Sequence, residues 1–81
     1  MTRPERTIDA RGHRCPVPGL RLAKALQSAR PGERIRLLAT DPMVRIDIPH
    51  MLGDRPDRLI SIEAVDGGLV VTVESGGGPS D

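Results

Sequence analysis

The chain's only cysteine lies in Gly12-His13-Arg14-Cys15-Pro16-Val17-Pro18-Gly19, held between a basic dipeptide and a proline. A free cysteine is most often a small buried hydrophobe. The setting of Cys15 argues for chemistry instead. Pro16 fits the first position of a helix, where a missing N–H costs nothing, and this makes Cys15 the expected N-cap. A thiol at that place meets the positive end of the helix dipole and free backbone N–H groups, both of which favour thiolate. Arg14, and to a lesser degree His13, push the same way. A reactive thiol near solvent is therefore expected at Cys15, with Arg14 supporting the charge and Pro16 and Pro18 stiffening the approach to the sulfur.

Most uses of such a thiol are excluded by what is missing around it. A dithiol exchange centre needs a second cysteine, and a zinc site needs more ligands than one cysteine and two histidines supply. Cys15 and Arg21 match the Cys-x5-Arg spacing of cysteine phosphatases, yet that loop grips phosphate through successive backbone N–H groups, and prolines at 16 and 18 delete two of them. A protease-like Cys-His pair fails because His13 is too close in sequence to serve as a base and the chain is too short to build a substrate cleft. No metal and no organic cofactor is expected. What remains is chemistry that needs one accessible, nucleophilic sulfur: attack on a sulfur donor, storage of the sulfur as a persulfide, and delivery to an acceptor.

The elements that must position this thiol are legible from periodicity. Glu5 to Asp9 reads as a short edge strand and Ala10 to Arg14 as the loop leading into the first helix. On that helix Leu22, Ala25, Leu26 and Ala29 share one face with Gly19 near its edge, while Arg21, Lys24, Gln27 and Ser28 face away. Leu20 falls on the polar side, an exposed apolar residue close to the cysteine. Arg30-Pro31-Gly32 turns the chain, and Arg34 to Ala39 alternates as a strand. Asp47-Ile48-Pro49 can cap a second short helix through about Gly53, or Val44 and Ile46 begin it earlier with a kink at Pro49. Two strands follow, Leu59 to Val65 and Leu69 to Glu74, joined by the hairpin signal Asp66-Gly67-Gly68. Ile60, Ile62 and Ala64 can then share a face with Leu69, Val71 and Val73.

The order β-α-β-α-β-β predicts an α/β two-layer sandwich: a four-stranded mixed sheet with two helices on one face and the first two strands parallel. Residues 5–74 form one domain in this reading, with flexible tails at 1–4 and 75–81. The 81 residues allow a single modest core. With 12 basic and 11 acidic side chains and no Phe, Tyr or Trp, the composition favours neither a general polyanion binder nor base stacking, so direct nucleic-acid binding is not expected. A single thiol, no leader pattern and no long apolar run lead to the expectation of a soluble protein of the reducing cytoplasm, without membrane contact. His13 reads as a loop residue, His50 as a surface residue of the second helix, and Asp9, Asp41 and Asp47 as turn or cap residues.

Asp9-Ala10, Gly12 and Arg14-Cys15-Pro16-Val17-Pro18 together resemble the Cys-Pro-x-Pro signature of the TusA/SirA/YedF family of small sulfur-carrier proteins. The likeness continues through Pro31-Gly32-Glu33, Asp41-Pro42 and Asp47-Ile48-Pro49 and covers about residues 7–74. It implies a two-layer sandwich like the C-terminal domain of a translation initiation factor. It also implies a sulfurtransferase whose Cys15 accepts persulfide sulfur from a cysteine desulfurase or rhodanese-type donor. The sulfur then passes to an acceptor protein in tRNA thiolation, molybdenum-cofactor or sulfur-oxidation pathways. Two positions depart from the pattern. Val17 stands where TusA-type carriers often have Glu, and Leu52 where some relatives carry a second cysteine, so release of the sulfur depends on a partner. The competing class is a non-catalytic RNA- or protein-binding regulatory module in which the Cys-Pro-x-Pro segment is only a rigid helix start.

Overall fold

A computed structural model describes residues 5–76. Its elements run β1 (Glu5–Ala10), α1 (Val17–Ser28), β2 (Arg34–Ala39), α2 (Val44–Leu52), β3 (Arg58–Val65) and β4 (Gly68–Glu74). The strands form one mixed sheet in the order β1-β2-β4-β3. β1 and β2 are parallel, paired from Glu5 with Arg34 to Ala10 with Ala39, while β4 is antiparallel to both β2 and β3. This is the two-layer α/β arrangement read from the sequence.

One sheet face and two helix stripes make the core. Ile8 and Ala10, Ile35, Leu37 and Ala39, and Leu69, Val71 and Val73 alternate inward along their strands, as the period of two requires. Against them α1 sets Leu22, Ala25 and Leu26, and α2 sets Val44, Ile48 and Leu52 at successive spacings of four. With no aromatic side chain in the protein, branched aliphatics fill the space between the layers.

Several sequence expectations are corrected at element ends. Helix α1 starts one residue later than Pro16, which is itself the N-cap: its carbonyl accepts the Leu20 amide at 3.0 Å, and Pro18 takes the early position that needs no N–H. Cys15 thus precedes the cap. Helix α2 takes the earlier of the two starts, at Val44. The Val44–Ile48–Leu52 stripe repays burial only if the helix is that long, and Pro49 is accommodated on its exposed side. In β3 the pairing shifts between Leu59 and Ser61, so Leu59 lies opposite Val73 while Ile62 and Ala64 face Val71 and Leu69. Ile60, expected inward, sits at that irregularity and is exposed.

The C-terminal boundary also differs from the composition-based reading. Ser75 is buried; its amide donates to the Glu33 carbonyl at 2.8 Å and its carbonyl accepts the Gly32 amide at 2.9 Å. Gly76 donates to the buried Asp57 carboxylate at 2.9 Å. Residues 1–4 and 77–81, the remainder of the expected tails, lie outside the described residues.

Candidate functional site

Parallel pairing of β1 and β2 brings their carboxyl ends to the same edge of the sheet, so the loops that leave Ala10 and Ala39 must meet there. They are tied at two points. The Gly12 amide donates to Thr40 Oγ1 and the Cys15 amide to Asp41 Oδ2, each at 2.9 Å. Gly12 turns the first loop with φ +86°, a left-handed conformation open to glycine without strain. In the second loop Asp41 Oδ1 accepts the Met43 amide at 3.0 Å, and the Asp41 carbonyl accepts the Val44 amide at 3.2 Å. The Asp41 side chain therefore ties together the turn that precedes α2 and the cysteine loop.

The cysteine lies between the two helices. Cys15 is half-buried and packs at the edge of the core together with Met51. Beside it opens a groove of about 260 Å³ lined by Pro16, Gly19 and Leu20 from the α1 side and Asp47, His50 and Met51 from α2. Leu20 stands on the rim, 63% exposed, in the position expected of it. A second depression of about 400 Å³ lies on the loop side, lined by Gly12, His13, Arg14, Thr40, Asp41 and Pro42.

The electrostatics reverse the sequence expectation. Burial, a hydrogen bond from the thiol to the Asp47 carboxylate and the negative charges of Asp47 and Asp41 push the Cys15 thiol up to about 12. The donors that would have favoured a thiolate are engaged or missing: the Val17 amide donates to the Arg14 carbonyl at 2.9 Å, and Pro18 has no N–H. Arg14 is exposed, and its charge bears on Asp41, whose carboxyl is lowered chiefly by the Cys15 and Met43 amides and then by Arg14. These surroundings favour the protonated thiol over the thiolate.

Residues 6–75 match the family described as sulfurtransferase TusA. The chain belongs to the TusA family. It is also similar to the crystal structure of a SirA-like protein from Desulfitobacterium hafniense, at 28% identity over 88% of this chain and 97% of that one, with a TM-score of 0.68. At the level of the family the protein is a sulfurtransferase domain with a sulfur-carrier role, which implies partners in sulfur relay.

On this TusA-family fold the sequence-derived residues separate into two groups. Pro16 lines the groove, Cys15 is half-buried just before it in the chain, Arg14 lines the neighbouring depression, and Pro18 is fully buried beneath the helix start. Asp9, expected in a turn, lies within β1 opposite Leu38, and its carboxylate is bound by the Arg11 guanidinium at 2.8 and 2.9 Å and by the Arg11 amide at 3.1 Å. His50 lies on the surface of α2, on the wall of the groove. Asp47 is the residue that sequence reasoning misplaced. Read as a cap it would stand at a helix end; with α2 beginning at Val44 it falls inside the helix and faces the thiol. The earlier helix start held that signal. Among the described residues no cluster of three His, Cys, Asp or Glu side chains could hold a metal ion, and no helix is long and apolar enough to cross a membrane.

Proposed function

We propose that this protein carries sulfane sulfur on Cys15 as a persulfide, taking it from a cysteine desulfurase or a rhodanese-type donor and passing it to an acceptor protein. The observation that carries this reading is the place of the chain's only thiol: half-buried at the edge of an open groove, in a domain of a sulfurtransferase family. Loading forms one sulfur–sulfur bond and breaks another. The Cys15 sulfur attacks the terminal sulfur of the donor persulfide, the donor sulfur leaves with the bonding pair, and the proton lost by Cys15 balances the one the donor thiol gains. No external oxidant or reductant takes part. Delivery is the same step with Cys15 as the leaving group. Since the chain has no second cysteine, the attacking group comes from the acceptor.

The raised thiol fits a carrier. A basic sulfur is a poor leaving group, so a persulfide formed on Cys15 is retained until an acceptor is engaged. Acceptors in tRNA thiolation, molybdenum-cofactor assembly and sulfur oxidation all suit this chemistry, and a single thiol persists best in a reducing compartment such as the cytoplasm. Arg14, exposed beside the loop, serves as a contact for an acidic partner surface in this reading, and Pro16 and Pro18 hold the loop–helix junction.

The test is intact-protein mass spectrometry after incubation with a desulfurase and cysteine, and separately with a rhodanese and thiosulfate. Wild type is expected to gain one reductant-sensitive sulfur atom from at least one donor, and Cys15→Ser none. A Cys15→Ser protein that loads like wild type removes the role from this residue, and no gain from either donor leaves the binding-module reading in its place.

A further inference from the structure

Two carboxylates flank the Cys15 sulfur from the α2 side. Asp41, in the loop before α2, is occupied by the Cys15 and Met43 amides and lies within the field of Arg14. Asp47, one turn into α2, lines the groove next to Pro16, the neighbour of Cys15, and its negative charge bears on the thiol. The described ion pairs join Arg6 to Glu33, Arg11 to Asp9, Arg36 to Glu5 and Arg55 to Asp57, and none reaches Asp47. The other titratable groups around the thiol are His13 in its own loop and His50 on the groove wall.

A half-buried carboxylate that forms no ion pair with the described residues and stands close to the reacting atom acts on whatever enters. A donor bringing negative charge meets repulsion that the partly desolvated site screens poorly, whereas a donor bringing a cation neutralises the carboxylate and releases the thiol to ionise. We propose that Asp47 makes Cys15 selective for sulfur donors that carry a cationic group beside the sulfur they deliver. The proposal rests on the persulfide reading above and names the kind of donor surface that suits it: a lysine or arginine beside the donor persulfide. The chemistry of loading is unchanged. The Cys15 proton leaves to solvent, the new sulfur–sulfur bond forms as the donor's breaks, and the departing donor sulfur takes up a proton.

Two measurements test it. In the first, small persulfides of opposite charge, cysteamine persulfide and N-acetylcysteine persulfide, load wild type, Asp47→Asn and Asp47→Glu, with the sulfur gain followed by mass. The ratio of cationic to anionic loading rates is expected to fall about 25-fold in Asp47→Asn, since one unit charge ~4 Å away in water changes each rate about fivefold in opposite directions, and to keep its wild-type value in Asp47→Glu. An equal ratio in wild type and Asp47→Asn overturns the proposal. In the second, iodoacetamide and iodoacetate alkylate Cys15 without any sulfur donor. Because only iodoacetate is charged, discrimination against it is expected to relax about fivefold in Asp47→Asn, and an unchanged ratio again overturns the proposal. Failure of both persulfides to load wild type would instead contradict the carrier reading, while the alkylation ratio would still report on Asp47.

Discussion

The reactivity of a cysteine is decided by its nearest groups, and at Cys15 these are two carboxylates and a proline pair rather than a free helix terminus. One residue of helix register makes the difference. With Pro16 as the cap, the thiol sits before the helix and turns toward α2, so the dipole argument that a sequence invites loses its geometry. The cysteine and its loop were legible in the spacing of Gly12, Cys15, Pro16 and Pro18. The partner Asp47 was not, because its contact depends on where another helix begins. A pH dependence follows. The ordinary thiol value is 9.0 and the folded one is about 12, so between these values the folded state holds a proton that the unfolded state has lost. Stability then falls as pH rises through this window and is unaffected by Cys15 below it. Denaturant titrations from about pH 8 to about pH 11 should show a steeper alkaline loss in wild type than in Cys15→Ser, and equal slopes would contradict the placement of the thiol.

At the scale of elements, β2 and β4 were the most readable, since Arg34–Ala39 and Leu69–Glu74 alternate cleanly and both are central strands. The edge strand β3 was less so. A strand paired on one side tolerates an irregularity, and the slip between Leu59 and Ser61 moves Ile60 off the face that simple alternation assigned to it. The hairpin glycines divide their work. Gly67 supplies the positive φ of the turn, at +78°, while Gly68 makes room, because a side chain there would collide with the Ala39 carbonyl oxygen of β2. Gly68→Ala is expected to destabilise the protein by about 1–3 kcal/mol through overpacking against backbone, measured by chemical denaturation. Gly12→Ala, by contrast, meets no neighbour within 4 Å, and its effect comes from backbone conformation alone.

At the scale of the molecule, one sheet face covered by two helices leaves the site at the edge of the core rather than inside it. Leu22 and Leu26 seat α1 on the sheet and thereby fix the helix that begins just after Cys15. Leu26→Ala should cost about 2–5 kcal/mol, in line with truncation of a fully buried leucine, and a loss well below that range in thermal or denaturant unfolding would contradict its central place in the core. The groove beside the site opens to solvent between α1 and α2, which suits the proposed exchange of sulfur with partner proteins.

The most direct test of sulfur carriage separates loading from delivery. Protein loaded by a desulfurase with isotopically labelled cysteine is freed of donor, mapped by peptide mass spectrometry, and then exposed to a fresh thiol acceptor. The expected result is one labelled sulfur on the Cys15 peptide that survives removal of the donor and moves to the acceptor as the peptide returns to its unmodified mass. Label found on another residue, or a Cys15 peptide that never gains sulfur while remaining alkylatable, would contradict it.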